Sequence, residues 1–110
     1  MPHLMWRMDK NYKALRDTVP WLKRLPSEYI RNHIYLTTQP IEEPDQRHHL
    51  DQILDMINAD HMIMYSSDYP HWDFDNPKVA LQPIREERRK KILGENAMNL
   101  YGLYTKPSLS

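Results

Sequence analysis

Apolar positions recur along the chain at two kinds of spacing, and these place its elements. Over about residues 4–15, Leu4, Met5, Met8, Tyr12 and Leu15 fall at helical intervals, which predicts a helix with one buried stripe that ends before Pro20. Residues 34–38 are β-branched or aromatic except for Leu36 and are closed by Gln39-Pro40, the pattern of a short strand. Leu50, Ile53, Leu54 and Ile57 then sit at i, i+3, i+4 and i+7, so a second helix is expected over about residues 45–58, started by Pro44. The run Met62-Ile63-Met64-Tyr65 is apolar without alternation, as in a strand covered on both faces. Strand, helix and strand make a βαβ unit with parallel strands and a right-handed crossover. The last element is a helix over about residues 85–100, interrupted at Gly94, with residues 96–100 as a short closing turn.

Composition narrows the class. Nine prolines against two glycines mean that proline, rather than positive φ, sets most turns. No repeat or low-complexity tract is present, and one domain spanning residues 1–110, with no second domain, is expected. Fifteen basic and fifteen acidic residues cancel, which removes any bulk attraction to nucleic acid or an anionic membrane. With no cysteine, a metal would be held by nitrogen and oxygen donors alone. No apolar run approaches the ~20 residues of a membrane span, and no basic segment precedes an apolar one at the N-terminus. A cytoplasmic chain is the expectation.

The candidate chemistry lies in Ser66-Ser67-Asp68-Tyr69-Pro70-His71-Trp72-Asp73. Asp68 ends the second strand, on the rim where α/β barrels keep their chemistry. It reads also as a strand-end carboxylate capping the next turn, and one carboxylate falls short of the three protein ligands a zinc site needs. His71 and Trp72 are candidates for the substrate pocket, the imidazole as a polar contact and the indole as a wall; alternatively Trp72 anchors the loop to the rim. Asp73 and Asp75 read as Asx-turn residues, because Asp73-x-Asp75-Asn76 lacks the glycine and distal glutamate of a calcium loop. Asn76-Pro77 is expected to start a short helix.

Other tempting features have plainer readings. His48 and His49 are neighbours on a helix, point about 100° apart and have no histidine four positions away, so they are expected in solvent. His33 and His61 border the strands on their N-terminal side, which carries stability rather than chemistry. His3 has no second ligand near it in sequence. Arg85, Arg88, Arg89, Lys90 and Lys91, interleaved with Glu86 and Glu87, read as a solvated helix face rather than a phosphate-binding stripe. Met5, Met8, Met56, Met62, Met64 and Met98 read as adaptable core filler.

The Ser66–Asp73 segment resembles the end of the eighth strand in the amidohydrolase-2 family, metal-dependent barrel enzymes that include hydrolases and non-oxidative decarboxylases. Leu4-Met5-Trp6-Arg7-Met8-Asp9-Lys10-Asn11 is similar to the family's helix after strand six. Pro26-Ser27-Glu28-Tyr29-Ile30 and Tyr35-Leu36-Thr37-Thr38-Gln39-Pro40 resemble its approach to, and passage through, strand seven, while Lys91-Ile92-Leu93-Gly94-Glu95-Asn96-Ala97 and Leu100-Tyr101-Gly102-Leu103 resemble its closing helix. The resemblance implies an α/β fold, the C-terminal part of a (β/α)8 TIM barrel with about two parallel strands and three or more helices. Such a barrel needs roughly 250 residues, so this chain corresponds to about its last third. The resemblance further implies that Asp68 binds a divalent metal, zinc or alternatively manganese, and handles the proton of its water. The family's other ligands, a His-x-His pair after strand one and histidines after strands five and six, fall outside these residues.

Two readings follow. In the first, the chain gives Asp68 to a metal site that hydrolyses or decarboxylates a small carboxylated or cyclic substrate, with the rest of the barrel or a complementary chain as partner. In the second, it is a free-standing interaction module without activity of its own. Two strands that pair only with each other are expected to leave two open edges, favouring self-association, a molten character or dependence on a partner.

Overall fold

The computed structural model describes residues 1–81 and 84–103. Helix α1 (Pro2–Leu15) passes through a 3₁₀ turn (Arg16–Thr18) to α2 (Pro26–His33). Strand β1 (Leu36–Thr37), α3 (His48–Met56) and β2 (Ile63–Met64) follow, then α4 (Glu86–Lys90), a π-helical segment (Lys91–Glu95) and α5 (Asn96–Tyr101). The strands are parallel, with Leu36 opposite Ile63 and Thr37 opposite Met64. The chain is thus of mixed α/β class, with the strand, helix, strand order that its periodicity predicts. No described helix is long and apolar enough to cross a membrane.

Helix α2 is the element that hydrophobic spacing missed, since residues 26–30 read as an approach to a strand. Its start is set by polar groups. Pro26 opens it, the Glu28 carboxylate accepts the Leu25 N–H at 2.8 Å, and Asp9 of α1 accepts the Ser27 N–H at 2.9 Å. Two donors that a helix N-terminus leaves orphaned are thereby satisfied, one of them by a neighbouring helix. At the other end the Ile34 N–H still bonds the Ile30 carbonyl at 2.9 Å, which delays β1 until Leu36.

One core holds the chain together, drawing Met5 and Ile30 from the first two helices, Leu50, Leu54 and Ile57 from α3 and its end, Met62 and Ile63 around β2, and Leu81 and Ile92. Ile53, expected in that stripe, is 37% exposed. The α1 stripe is a larger correction: only Met5 is buried, while Leu4, Met8 and Leu15 lie open because α1 packs on little beyond α2. Among the methionines, Met5, Met62 and Met64 are core, but Met8, Met56 and Met98 are at the surface. The radius of gyration is 17.0 Å, against about 13 Å for a compact domain of this length. Apolar surface is left uncovered accordingly.

The basic run contains the other correction. Arg88 is not solvated but 4% exposed, and its guanidinium reaches three aspartates. Nε donates to Asp60 Oδ1 at 2.6 Å, Nη1 to Asp51 Oδ1 at 2.6 Å and to the Asp51 carbonyl at 2.9 Å, and Nη2 to Asp55. Asp51 and Asp55 are one turn apart on α3 and so present both carboxylates to one fork. Arg85, more than half exposed, adds contacts to Asp51 at 3.2 Å and to Asp55. Burial alone would lower the Arg88 pKa, but hydrogen bonds to Asp55 and Asp60 and the charges of Asp60 and Asp51 outweigh it, and the net shift is upward. The Arg88 hydrogen bond lowers the Asp55 pKa, against an opposing effect of burial and with help from Arg85.

That shift predicts acid behaviour. A carboxylate whose folded pKa is depressed contributes stability that is full above its ordinary value of about 3.9 and is lost as pH falls through the folded value. The α3–α4 clamp is expected to hold through pH 5 and to open only below about pH 4, seen as loss of the far-ultraviolet helical signal; opening near pH 6 would contradict it. Asp75 acts in the opposite sense. Burial, then the charges of Glu43 and Asp73, raise its pKa, so its contribution declines as pH rises through that raised value.

The helix after Arg85 is not broken at Gly94 but widens there into the π segment. A π turn disturbs the regular i→i−4 ladder and lets carbonyls find partners outside the helix. The Ile92 carbonyl accepts the Tyr65 N–H at 2.8 Å, and the buried Asn96 side chain donates to the Ile63 carbonyl at 2.8 Å. The outer edge of β2, expected to be open, is therefore occupied by the chain's own C-terminal helix. Gly102, at φ +65°, closes α5 in the left-handed region, with the Leu103 N–H returned to the Met98 carbonyl at 2.9 Å.

Candidate functional site

The loops leaving β1 and β2 meet at the C-terminal end of the sheet. The Thr38 hydroxyl accepts the Ser66 N–H at 3.0 Å and donates to the Ser66 carbonyl at 3.2 Å. Gln39 Nε2 donates to the Asp73 carbonyl at 2.6 Å, and the Tyr65 hydroxyl donates to the Asp75 carbonyl. Within the second loop the Asp75 N–H returns to the Ser67 carbonyl at 2.9 Å. Thr38 and Gln39 are positioning residues that the sequence reading did not single out; their signal was only two polar residues closing an apolar strand.

Asp68 stands where this loop leaves the strand, at φ +57°. Aspartate is one of the few non-glycine residues that tolerates this region. The turn is built from its backbone: the Asp68 carbonyl accepts the His71 N–H at 2.9 Å. The side-chain cap comes from the neighbour instead, since the Ser67 hydroxyl accepts the Tyr69 N–H at 3.2 Å. Among the described residues the Asp68 carboxylate accepts no hydrogen bond, and its nearest ionisable neighbour is His71, with Nδ1 to Oδ2 at 3.7 Å. That separation is too long for a hydrogen bond, yet both groups are solvent-accessible and both are metal-ligand types.

The remaining candidates are dispersed. Trp72 is 93% exposed, so it does not anchor the loop to a rim in this structure. Asp73 and Asp75 take part through their backbone groups, and the side-chain turn is made one residue on, where Asn76 Oδ1 accepts the Lys78 N–H at 2.9 Å. Residues 76–80 form a turn closed on the Asn76 carbonyl rather than the expected short helix. Beside the loop lies an open groove of about 310 Å³ lined by Tyr65, Tyr69, Phe74, Asp75 and Pro77, with the Tyr69 and Phe74 rings edge to face at 5.6 Å. His48 and His49 contact each other and are exposed, as expected. His33 and His61 are exposed, adjoining the N-terminal ends of the strands. His3 is exposed on the first turn of α1.

Tested against a metal, the donor set is partial. A carboxylate and an imidazole 3.7 Å apart are within reach of one ion bonded at about 2.0–2.2 Å to each. Among the described residues, no three His, Cys, Asp or Glu side chains are grouped to hold one. Among the described residues this pair thus falls short of the three protein ligands a catalytic zinc requires.

The described residues form a parallel strand, helix, strand unit with a carboxylate where the second strand ends. The family model described as amidohydrolase matches residues 2–103. The chain thus belongs to the amidohydrolase family, in agreement with the resemblance carried by its sequence. No individually curated protein matches it.

Proposed function

We propose that this chain forms the C-terminal part of a (β/α)8 amidohydrolase barrel and gives Asp68 to a metal-dependent site completed by residues other than these 110. The observation that carries this reading is the freedom of the Asp68 carboxylate: Ser67 makes the side-chain cap that Asp68 would otherwise be needed for. A divalent ion, zinc or manganese, supplies Lewis acidity to a substrate carbonyl or carboxyl group. Asp68 would hold such an ion and accept or return a proton during turnover. His71 offers a polar contact to the substrate and Trp72 an apolar face above it. The reaction is hydrolysis or non-oxidative decarboxylation of a small carboxylated or cyclic molecule.

The alternative, a free-standing interaction module, is favoured by one observation. In a closed barrel the outer edge of β2 takes another strand, whereas here Asn96 and the Ile92 carbonyl occupy it. Barrel closure on that side requires the C-terminal helix to let go.

Calorimetric titration with Zn²⁺ tests the proposal on the chain itself. Two donors give weak binding without the chelate gain of further ligands, so the expected dissociation constant is above about 10 μM. Stoichiometric sub-micromolar binding lost in Asp68→Ala would show a complete local site and overturn the claim that ligands come from elsewhere.

A further inference from the structure

Two adjacent arginines of α4 have different partners. Arg88 grips α3, whereas Arg89 turns to the long loop that leaves β2. Its Nη2 donates to the Pro77 carbonyl at 2.9 Å and to the Lys78 carbonyl at 3.2 Å. Among the described residues Arg89 forms no ion pair, and its Nε is buried with no hydrogen-bond partner. A buried donor left unpaired costs stability, and its retention calls for another explanation. The Nη2 contacts to the loop supply one.

Those contacts lead back to the candidate site. Asn76 and Pro77 line the groove together with Tyr69 and Phe74. The Asn76 carbonyl holds the following turn, accepting the Val79 N–H at 3.0 Å and the Ala80 N–H at 2.8 Å. Immediately before Asn76, Asp75 closes the loop on the Ser67 carbonyl, one residue from Asp68, and its own carbonyl takes the Tyr65 hydroxyl. Residues 75–78 are thus pinned at one end by Ser67 and Tyr65 and at the other by Arg89. Because Arg88 bolts α4 to α3, this second pin is anchored to the strand, helix, strand unit itself.

We propose that Arg89 is a positioning residue, which fixes the Pro77 wall of the groove from α4 and, through the Asn76 turn and Asp75, steadies the loop that presents Asp68, His71 and Trp72. Its functional meaning rests on the reading of Asp68 as the site residue. The strut can be tested without any reaction.

The test is amide exchange with solvent deuterium, followed by NMR on the intact chain, for the wild type, Arg89→Met and Arg89→Lys. Methionine keeps much of the aliphatic bulk while discarding both the unpaired Nε and the Nη2 donor. The melting transition is therefore expected to hold or rise in Arg89→Met, although exchange at the Asp75, Val79 and Ala80 amides quickens about tenfold, the scale of one or two lost hydrogen bonds. The Tyr65 amide, held by the Ile92 carbonyl, is expected to stay as slow as in the wild type. Ring-current shifts of the edge-to-face Tyr69–Phe74 pair, 5.6 Å between centroids, should shrink as the groove wall loosens. Arg89→Lys returns a donor to the two carbonyls and is expected to bring exchange back toward the wild-type rate. An Asp75 amide and a ring pair unchanged in a folded Arg89→Met chain would confine Arg89 to the 76–80 turn and overturn the proposal. A lowered melting point with all amides quickened alike would make Arg89 an ordinary stabilising residue and overturn it too. No substrate enters these measurements, so their outcome is independent of whether Asp68→Asn loses turnover.

Discussion

Replacing Arg88 with Met is expected to remove a large part of the chain's stability. The side chain is 5% exposed and bonds three carboxylates, Asp51, Asp55 and Asp60, which lie at 24%, 54% and 32% exposure. Removing the cation takes the buried counter-charge from all three acids and the Arg88 donor from the Asp51 carbonyl and Oδ1, with Arg85 remaining on Asp51 and Asp55. Breaking an ion pair by deleting one partner costs about 3–5 kcal/mol where the charge left behind is buried; the acids left here are partly solvated, so the loss falls below that range while remaining large against the roughly 5 kcal/mol of a marginal small domain. Arg88→Lys retains the charge but cannot reach three partners with one fork, and an intermediate loss is expected. Arg85→Met serves as the control: its side chain is 59% exposed, and surface ion pairs contribute less than about 1 kcal/mol. Thermal melts followed by circular dichroism distinguish them. A cooperative Arg88→Met transition within a few degrees of wild type would show that the clamp is ornamental.

This clamp shows where sequence reading reached its limit. Helical spacing found α1 and α3, β-branched and aromatic residues found β1, an unbroken apolar run found β2, and the strand, helix, strand order gave their parallel sense. Long-range polar pairing has no such period. Arg88 lies 28 to 37 residues from its acidic partners, and nothing within the run Arg88-Arg89-Lys90-Lys91 separates the buried cation from its less buried neighbours. The start of α2 depends likewise on Asp9, 18 residues upstream. Hydrophobic stripes were misread where a stripe exists but its cover is absent, as with Leu4, Met8 and Leu15. The Asp68 turn was legible as a strand ending in a carboxylate and proline. That Ser67 and not Asp68 would cap it was not, because both residue types cap turns.

Asp68→Asn is expected to leave the fold intact and remove the chemistry. Asn preserves the shape of the side chain and tolerates left-handed φ as Asp does, so the loop keeps its turn, which is held by the Asp68 carbonyl and the Ser67 hydroxyl. What goes is the negative charge offered to the ion and the proton acceptor. Loss of a positioned base alone lowers turnover by about 10²–10⁴-fold, and weaker metal retention adds to that. His71→Ala is expected to act mainly on substrate affinity, since its imidazole stands 3.7 Å from the carboxylate without bonding it.

The most direct measurement joins the chain to the remainder of an amidohydrolase barrel that carries the histidine ligands, and follows turnover together with bound zinc for the wild type and Asp68→Asn. The account predicts metal-dependent turnover with the wild-type chain and a loss of at least about 100-fold in the variant, with the same helical content and melting behaviour in both. Turnover by Asp68→Asn equal to wild type, with zinc fully retained, would contradict it and leave Asp68 as a residue of the turn alone.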